Sequence, residues 1–326
     1  MIFDTSKNYF TEHVGERVLA PTWGGYKDMK EIPLSLSYLQ EAKRAGMKIT
    51  PLLHNDFDLQ ETKKLLHDSG AVQNLARQIT ATALVYDFDG WNLDFENMDE
   101  ADKFLYTKFI KTVSEKLHMH GKEISVDVTV NSNSPNWSLC YDRKGMAAYV
   151  DYEVIMGYDQ TPGGSRYSGP VSSYSWLKHH IAMLLKQVPN NKLVLGLPFY
   201  TRIWTGKEGQ AASSVLMTKQ IKSLLGQNNV GLFWNPEDRQ YVGIWEENGQ
   251  TRKVWLEERR SLQEKVSLAH DYKLAGLAFW RYGFETEDIY DQIEGAFLNK
   301  KDESVRYKNR SEDILIKFRE RLKRAQ

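Results

Sequence analysis

Short apolar runs alternate with amphipathic stretches along almost the whole chain, and this pattern limits the folds open to it. The apolar runs have the length of strands, whereas the stretches between them repeat their apolar residues at helical spacing. Strands that alternate with helices favour a parallel sheet, so we predict an α/β fold, a (β/α)8 TIM barrel. The eight predicted strands are Met1–Asp4, Arg17–Trp23, Lys48–Asn55, Gly90–Glu96, Ile124–Asn131, Tyr152–Asp159, Leu193–Tyr200 and Ala275–Gly283.

A doubly wound open sheet is the alternative architecture for the same alternation of strands and helices. The sequence shows neither a G-x-G-x-x-G motif after the first strand nor a P-loop, so that alternative lacks its usual ligand motifs. The predicted helices include one that begins near Asp99 and ends at Gly121. The others are Leu36–Ala45, Glu61–Thr80, Ser173–Gln187, Ser261–His270 and Glu287–Leu298.

The connection between the seventh and eighth predicted strands is too long for one helix. Within it, Gln240–Trp245 and Gln250–Trp255 are strand-like and flank an Asn-Gly pair, which indicates a hairpin. We therefore predict a barrel domain over residues 1–298 with a small hairpin-containing insertion at about 205–258, on its C-terminal face. Residues 299–326 are predicted to form a charged, helical C-terminal tail.

Composition narrows the class of protein. The chain has 326 residues, is 41% hydrophobic, and carries 43 basic and 43 acidic side chains. This balance of charge argues against nucleic acid or an anionic membrane as the partner. The sequence lacks a run of eighteen apolar residues, and its first ten residues do not resemble a signal peptide. The single cysteine, Cys140, excludes an internal disulfide and a cysteine-type zinc site.

Acidic residues are concentrated in the fourth predicted strand. Side chains alternate along a strand, so Asn92, Asp94 and Glu96 share one face and large apolar residues share the other. Two carboxyl groups this close do not both ionise easily, so one is expected to stay protonated, as a general acid requires. A metal site and a solvated acidic loop are the alternatives. The calcium-loop pattern fails because its glycine belongs at the sixth position and Gly90 is the fourth residue from Asp87.

Segments of four predicted strands together resemble family 18 glycoside hydrolases, the chitinase-like enzymes. Asp89–Glu96 reads D-G-W-N-L-D-F-E and is similar to the family's D-G-x-D-x-D-x-E signature. Met156–Asp159 is similar to the M-x-Y-D motif, and Gly196–Tyr200 and Gly276–Trp280 are similar to the seventh and eighth strands of the family. Residues 20–23 and 54–57 look like the bacterial cell-wall and spore-associated branch.

The resemblance implies a retaining hydrolase that uses substrate assistance, in which the sugar's own 2-acetamido oxygen attacks the anomeric carbon. Glu96 would be the general acid and base, Asp94 would orient the acetamido group, and Tyr158 would bind the acetamido oxygen. Trp280 would form the floor of the sugar site. With Trp280, the residues expected to bind substrate are Asn92, Asp89, Met156, Asp159, Tyr200, Arg202, Trp23 and Asn55, and distal sugar platforms are possible at Trp137 and Trp204.

The chain departs from the family pattern at two places. Asn92 stands where many chitinases have Asp, which removes one charge beneath Asp94 and is expected to lower the Asp94 pKa. The third strand, Pro51–Asn55, lacks the S-x-G-G of typical chitinases, which bears on chitin specificity more than on catalysis.

The preferred substrate is therefore a β-1,4-linked glycan that contains N-acetylglucosamine, with peptidoglycan or spore cortex ahead of chitin oligomers. An endo-β-N-acetylglucosaminidase, a non-catalytic lectin on the same barrel and a barrel of unrelated chemistry remain alternatives. Lectins of this kind generally lose the acid Glu or its partner Asp, and both are present here. The resemblance implies no metal or other cofactor, a monomer, and an extracellular location at the cell wall or the spore.

Overall fold

The computed structural model describes residues 3–4, 17–29, 34–228, 230–286 and 289. The strands in these ranges, β1 to β15, are Phe3–Asp4, Arg17–Ala20, Thr22–Gly25, Met47–Ile49, Leu52–His54, Gly90–Asp94, Glu123–Thr129, Tyr152–Met156, Leu193–Pro198, Tyr200–Thr205, Ala212–Met217, Leu232–Asn235, Gln240–Glu247, Gln250–Trp255 and Gly276–Trp280. The α-helices, α1 to α8, are Leu36–Arg44, Leu59–His67, Ser69–Val85, Lys103–His118, Arg143–Met146, Tyr174–Leu184, Ile221–Asn228 and Arg259–Asp271.

The chain contains two compact units. Among the described residues, the first unit lies within Met1–Gly157, His180–Gly196 and Asp271–Tyr282. The second lies within Tyr158–His179, Leu197–His270 and Gly283–Gln326. In the part of the chain that the structure describes, no helix has both the length and the apolar character that crossing a membrane requires.

A seven-stranded sheet forms the centre of the first unit, in the order β3-β5-β6-β7-β8-β9-β15. Each pairing from β3 through to β9 is parallel, as the alternation of strands and helices predicts. The predicted second and third strands are each divided in two, because Pro21 and Pro51 lack the N–H that a continuous ladder needs. Their carbonyls still accept hydrogen bonds from Leu52 and Asn92, so the parallel pairing continues past both prolines.

The first predicted strand differs from the expectation. Its described part, β1, pairs antiparallel with β2. We had predicted that this strand would be one of eight parallel strands. A parallel crossover usually needs a helix between the two strands, and the sequence predicts none between Asp4 and Arg17. The antiparallel pairing is consistent with that absence.

Most predicted helices are found, with shifted ends. The predicted helix Glu61–Thr80 is two helices, α2 and α3, because Asp68 adopts an extended backbone between them. The Asp68 carboxylate accepts hydrogen bonds from the first backbone N–H groups of α3, which is the role of an N-cap. Of the predicted helix Glu287–Leu298 only residue 289 is described, and the predicted helical tail at 299–326 lies outside the described residues.

The two faces of the parallel sheet bury different layers. One face packs Trp91, Leu93 and Phe95 of β6 and its extension against the helices, in the main apolar core. On the other face, Leu52 and Val154 belong to a small buried apolar cluster. Because side chains alternate, the polar residues of β6 are all placed on this second face.

The second unit contains a five-stranded antiparallel sheet in the order β11-β10-β14-β13-β12. The predicted hairpin is present, since β13 and β14 pair antiparallel around Asn248 and Gly249. Both turn residues have positive φ, 53° and 72°, which the type I′ hairpin turn requires. The sheet also includes β10, which begins at Tyr200, whereas the insertion was predicted to begin at about residue 205. The domain boundaries themselves stay a prediction.

Candidate active site

β6 and its extension carry the carboxyl groups of the candidate site. The register pairs Asn92 with Leu52 on one side and with Ser125 on the other, and pairs Asp94 with His54. Trp91 and Leu93 point into the apolar core, so Asn92 and Asp94 point to the opposite face, as predicted. Glu96 follows two residues later at the carboxyl end of the strand, where parallel α/β folds build their active sites.

The environment of Asp94 makes it a titratable group near neutral pH. Burial raises the pKa of Asp94 to about 6, and a hydrogen bond with the Glu96 carboxyl acts in the opposite direction. Its Oδ1 atom is buried and has no hydrogen-bond partner among the described residues. A buried acceptor left open in this way is suited to a donor from substrate, such as an amide N–H.

Asn55 holds the backbone of Glu96 from the neighbouring strand. Its Nδ2 donates to the Glu96 carbonyl at 2.7 Å, and its Oδ1 accepts from the Glu96 N–H at 3.0 Å. Nδ2 also donates to Thr62 Oγ1, and the side chain is buried. We expected Asn55 to bind substrate, but its polar atoms are occupied by the protein, so it positions Glu96 instead.

Asn92 is also buried, and its side chain is hydrogen-bonded to two residues of the neighbouring strand β7. Its Nδ2 donates to Ser125 Oγ and to Asp127 Oδ1, each at 3.0 Å. These bonds join β6 to β7, which is a structural role and not the substrate contact that we expected. Sequence reasoning missed Asp127, although the alternation of Ser125, Asp127 and Thr129 in a predicted strand shows three polar residues on one face.

Asp89 and Trp23 do not reach the site. Asp89 precedes β6 at its amino end, seven residues before Glu96 and thus roughly 20 Å away along an extended chain. Its carboxylate accepts from the Ile49 N–H and so joins two strands. Trp23 is 3% exposed and packs edge-on against Phe88 and Trp91 in the core. Both residues therefore support the sheet, which corrects the expectation that they bind substrate.

A second polar group, formed by Tyr158, Asp159, Tyr200 and Arg202, lies within the second unit. Tyr200 Oη donates to Asp159 Oδ1 at 2.8 Å, and Arg202 bonds the same oxygen at 3.1 Å. The Tyr158 and Tyr200 rings meet edge to face at 6.3 Å. The structure thus brings together four residues that the sequence analysis placed at, or just after, the ends of two different strands.

The remaining predicted residues fall at strand ends or in loops. Met156 ends β8 and is buried, and Trp280 ends β15 and is partly exposed. Trp137 is 42% exposed on the segment after β7, and its ring lies 5.9 Å from that of Phe57. Trp204 is buried and donates to the Gly169 carbonyl, so it is a packing residue and not a sugar platform. No cluster of three or more potential metal ligands occurs in the described ranges.

Comparison with known proteins identifies the family. The model for glycosyl hydrolases family 18 matches residues 35–285, which contain Asp94, Glu96 and the four strand motifs that resemble the family, but not residues 20–23. The chain belongs to glycosyl hydrolase family 18, and it is a glycoside hydrolase.

The chain is similar to three proteins of Bacillus subtilis at 26% identity. The uncharacterized glycosylase YvbX aligns over 78% of this chain and 76% of its own length. The putative sporulation-specific glycosylase YdhD aligns over 72% of this chain. The cortical fragment-lytic enzyme aligns over 73%. The aligned region spans only 56% of the length of each of the last two relatives.

Solved structures show the same fold. A chitinase from Chromobacterium violaceum superposes with a TM-score of 0.79 at 20% identity, covering 86% of this chain and 90% of that chain. The spore cortex-lytic enzyme SleL of Bacillus megaterium gives a TM-score of 0.76 at 22% identity, covering 85% and 66%. The family and these structures imply a (β/α)8 barrel, as the sequence predicts.

Proposed function

We propose that this protein hydrolyses β-1,4 linkages next to N-acetylglucosamine in bacterial cell-wall peptidoglycan, with spore cortex as the preferred form. The observation that carries the proposal is the buried pair of Asp94 and Glu96 at the carboxyl end of β6, with an open acceptor on Asp94. The cortical fragment-lytic and sporulation-specific relatives support the choice of substrate. The same assignment implies action outside the cell, at the wall or the spore, as a monomer.

The reaction proceeds in two steps in this proposal. The 2-acetamido oxygen of the sugar attacks its own anomeric carbon, the glycosidic bond breaks, and the leaving oxygen takes a proton from Glu96. The ring so formed is an oxazolinium ion. Water then attacks the anomeric carbon, Glu96 accepts its proton, and the oxazolinium opens to restore the acetamido group with retained configuration.

The buried carboxylate of Asp94 suits the cationic intermediate. Its open Oδ1 accepts a hydrogen bond from the acetamido N–H, and its negative charge stabilises the positive charge that develops there. Trp280 and Met156, which end two other strands of the same unit, are proposed to contact the sugar, with Trp280 as the floor under its ring. The roles of Tyr158 on the acetamido oxygen and of Asp159, Tyr200 and Arg202 in substrate binding are those that the family resemblance implies.

The test is product analysis with wild type and Glu96→Gln on purified spore cortex, vegetative peptidoglycan and N-acetylglucosamine oligomers. Glu115→Gln, an exposed change on α4, is the matched control. We expect wild type and the control to release N-acetylglucosamine-ended fragments from cortex, and Glu96→Gln to release none. Cleavage of oligomers alone assigns a chitinase-like substrate instead. Binding of glycan without cleavage by wild type assigns a lectin.

A further inference from the structure

Asp127 is a buried acid that none of the family motifs includes. It lies on β7, is 0% exposed, and faces the same side of the sheet as the site carboxylates. The parallel register pairs Leu93 with Val126, so the next residue of each strand, Asp94 and Asp127, lie side by side. Adjacent strands are about 4.8 Å apart, which places the two carboxyl groups within reach of each other.

The hydrogen bonds around Asp127 leave a row of acceptors without donors. Asn92 Nδ2 donates to Asp127 Oδ1 at 3.0 Å. Asp127 Oδ2, Asn92 Oδ1 and Asp94 Oδ1 are all buried, and among the described residues none of them has a hydrogen-bond partner. A proton on Asp127 supplies a donor to this row and removes the cost of a second buried charge beside Asp94.

The groups that face Asp127 also disfavour its ionised form. β6 contributes Asp94 and Glu96, and β8 places apolar Val154 in register with it. The Tyr106 phenol of α4 lies in the apolar core on the other face of the sheet. Burial and the charge of Asp94 raise the pKa of Asp127 well above its ordinary value, and the hydrogen bond from Asn92 opposes this only in part. This rise in the Asp127 pKa agrees with the buried acceptors around Asp127, which need a donor that only the protonated acid supplies.

We propose that Asp127 is a positioning residue that stays protonated during catalysis and donates from its carboxyl group to one lone pair of Asp94 Oδ1. This bond holds Asp94 as the carboxylate and leaves the second lone pair of Oδ1 for the acetamido N–H. Asn92 orients Asp127 by its hydrogen bond. This inference rests on the proposed function, since it assigns a task in that reaction.

The test compares two substitutions that differ in hydrogen bonding. Asp127→Asn keeps one acceptor for Asn92 and one donor for Asp94, so it imitates the protonated acid. Asp127→Val removes the donor. We expect Asp127→Asn to keep the wild-type kcat and pH profile. Asp127→Val is expected to lower kcat about tenfold at unchanged KM and to move the acidic limb about one pH unit upward. Glu153→Gln, a buried acid on β8 outside the site, is the control for a general effect of buried acids.

Two kinetic outcomes overturn the proposal. An acidic limb that moves to lower pH in Asp127→Asn shows that Asp127 is charged in wild type. An unchanged pH profile in Asp127→Val shows that the two acids are not coupled.

A measurement independent of activity separates this proposal from the proposed function. The infrared C=O band of a protonated carboxyl group is compared at pH 7.5 between Glu153→Gln and the double variant Glu153→Gln/Asp127→Asn. Loss of one such band in the double variant supports a protonated Asp127, even if no tested glycan is cleaved. Identical carboxyl bands in the two proteins show an ionised Asp127 and overturn the proposal.

Discussion

Asp94 is the residue whose surroundings most shape the proposed chemistry. Burial raises the pKa of Asp94 from its ordinary value to about 6. The lower pKa that we expected from Asn92 is relative to a chain with Asp at that position, and it stays a prediction. Asp127 is a further buried carboxyl group in the same environment, so removing a charge at residue 92 does not leave Asp94 without an acidic neighbour.

The first prediction concerns the pH dependence of catalysis. The ionised form of Asp94 is the active one, so wild-type kcat/KM should fall as the pH drops below about 6. Asp94→Asn should lower kcat/KM roughly 10²- to 10³-fold and abolish this acidic limb. The measurement is kcat/KM from pH 4 to 9, with the partly exposed Asp99→Asn as control. An unaltered acidic limb in Asp94→Asn would assign the titration to another group.

The second prediction concerns the hold that Asn55 has on Glu96. Asn55→Ala removes two hydrogen bonds to the Glu96 backbone and should cost about 2–3 kcal/mol of stability, with a fall in kcat. Thr62→Val removes the bond that Thr62 Oγ1 accepts from Asn55 and the bond that it donates to the Asp58 carbonyl, but neither bond to Glu96. It should therefore cost about 1–2 kcal/mol and leave kcat unchanged. Urea unfolding and steady-state kinetics measure both. Equal losses of kcat in the two variants would contradict the positioning role.

At the scale of the elements, the alternation of side chains along each strand decides which residues reach the site. This periodicity correctly separates Asp94 and Glu96 from Trp91 and Leu93. It does not say which end of a strand a residue occupies, and Asp89 lies at the wrong end of β6 for a substrate contact. It also does not show which face of β3 is covered by aromatic rings, so the burial of Trp23 was not predictable.

The third prediction concerns Glu153, which β8 buries with both carboxyl oxygens lacking a hydrogen-bond partner in the described structure. Burial raises its pKa from 4.5 to about 8. The unfolded chain ionises Glu153 near its ordinary pKa, whereas the folded chain holds it protonated up to about pH 8. The free energy that the protonated side chain contributes to folding is therefore complete below about pH 4.5 and is lost as the pH rises through about 8.

Glu153→Gln should therefore be more stable than wild type by roughly 3 kcal/mol at pH 9, because the amide carries no charge to bury. At pH 5 the two proteins should differ by about 1 kcal/mol or less. Urea unfolding at pH 5, 7 and 9 tests this, with exposed Glu115→Gln as control. Parallel pH curves for wild type and Glu153→Gln would refute it.

On the scale of the molecule, loops after separate strands of the first unit meet beside the carboxylates. Phe57 follows β5 and Trp137 follows β7, and their partly exposed rings lie 5.9 Å apart. Asn97, the neighbour of Glu96, donates to the Phe57 carbonyl at 2.8 Å. The aromatic pair is therefore tied to the backbone next to the proposed general acid, where it offers a surface to an extended glycan.

The fourth prediction follows from this pair. Trp137→Ala should raise KM about tenfold for polymeric peptidoglycan, since an exposed ring surface is lost, and should leave kcat on short oligomers unchanged. Tyr167→Ala, which removes an exposed aromatic side chain of the second unit, is the control. The measurement is initial rates on both substrates. An unchanged KM on the polymer would exclude Trp137 as a sugar platform.

Much of this protein was readable from local sequence patterns. Three features depend on residues that are only two to four positions apart, so the sequence alone shows them. These are the alternation of strands and helices, the shared face of Asp94 and Glu96, and the family motifs. Other features depend on strand register and on which face of the sheet the helices cover. These relations decide that Asn55 holds Glu96, that Trp23 is buried in the core, and that Asp127 lies beside Asp94. They arise between residues far apart in the chain, and therefore only the folded structure shows them.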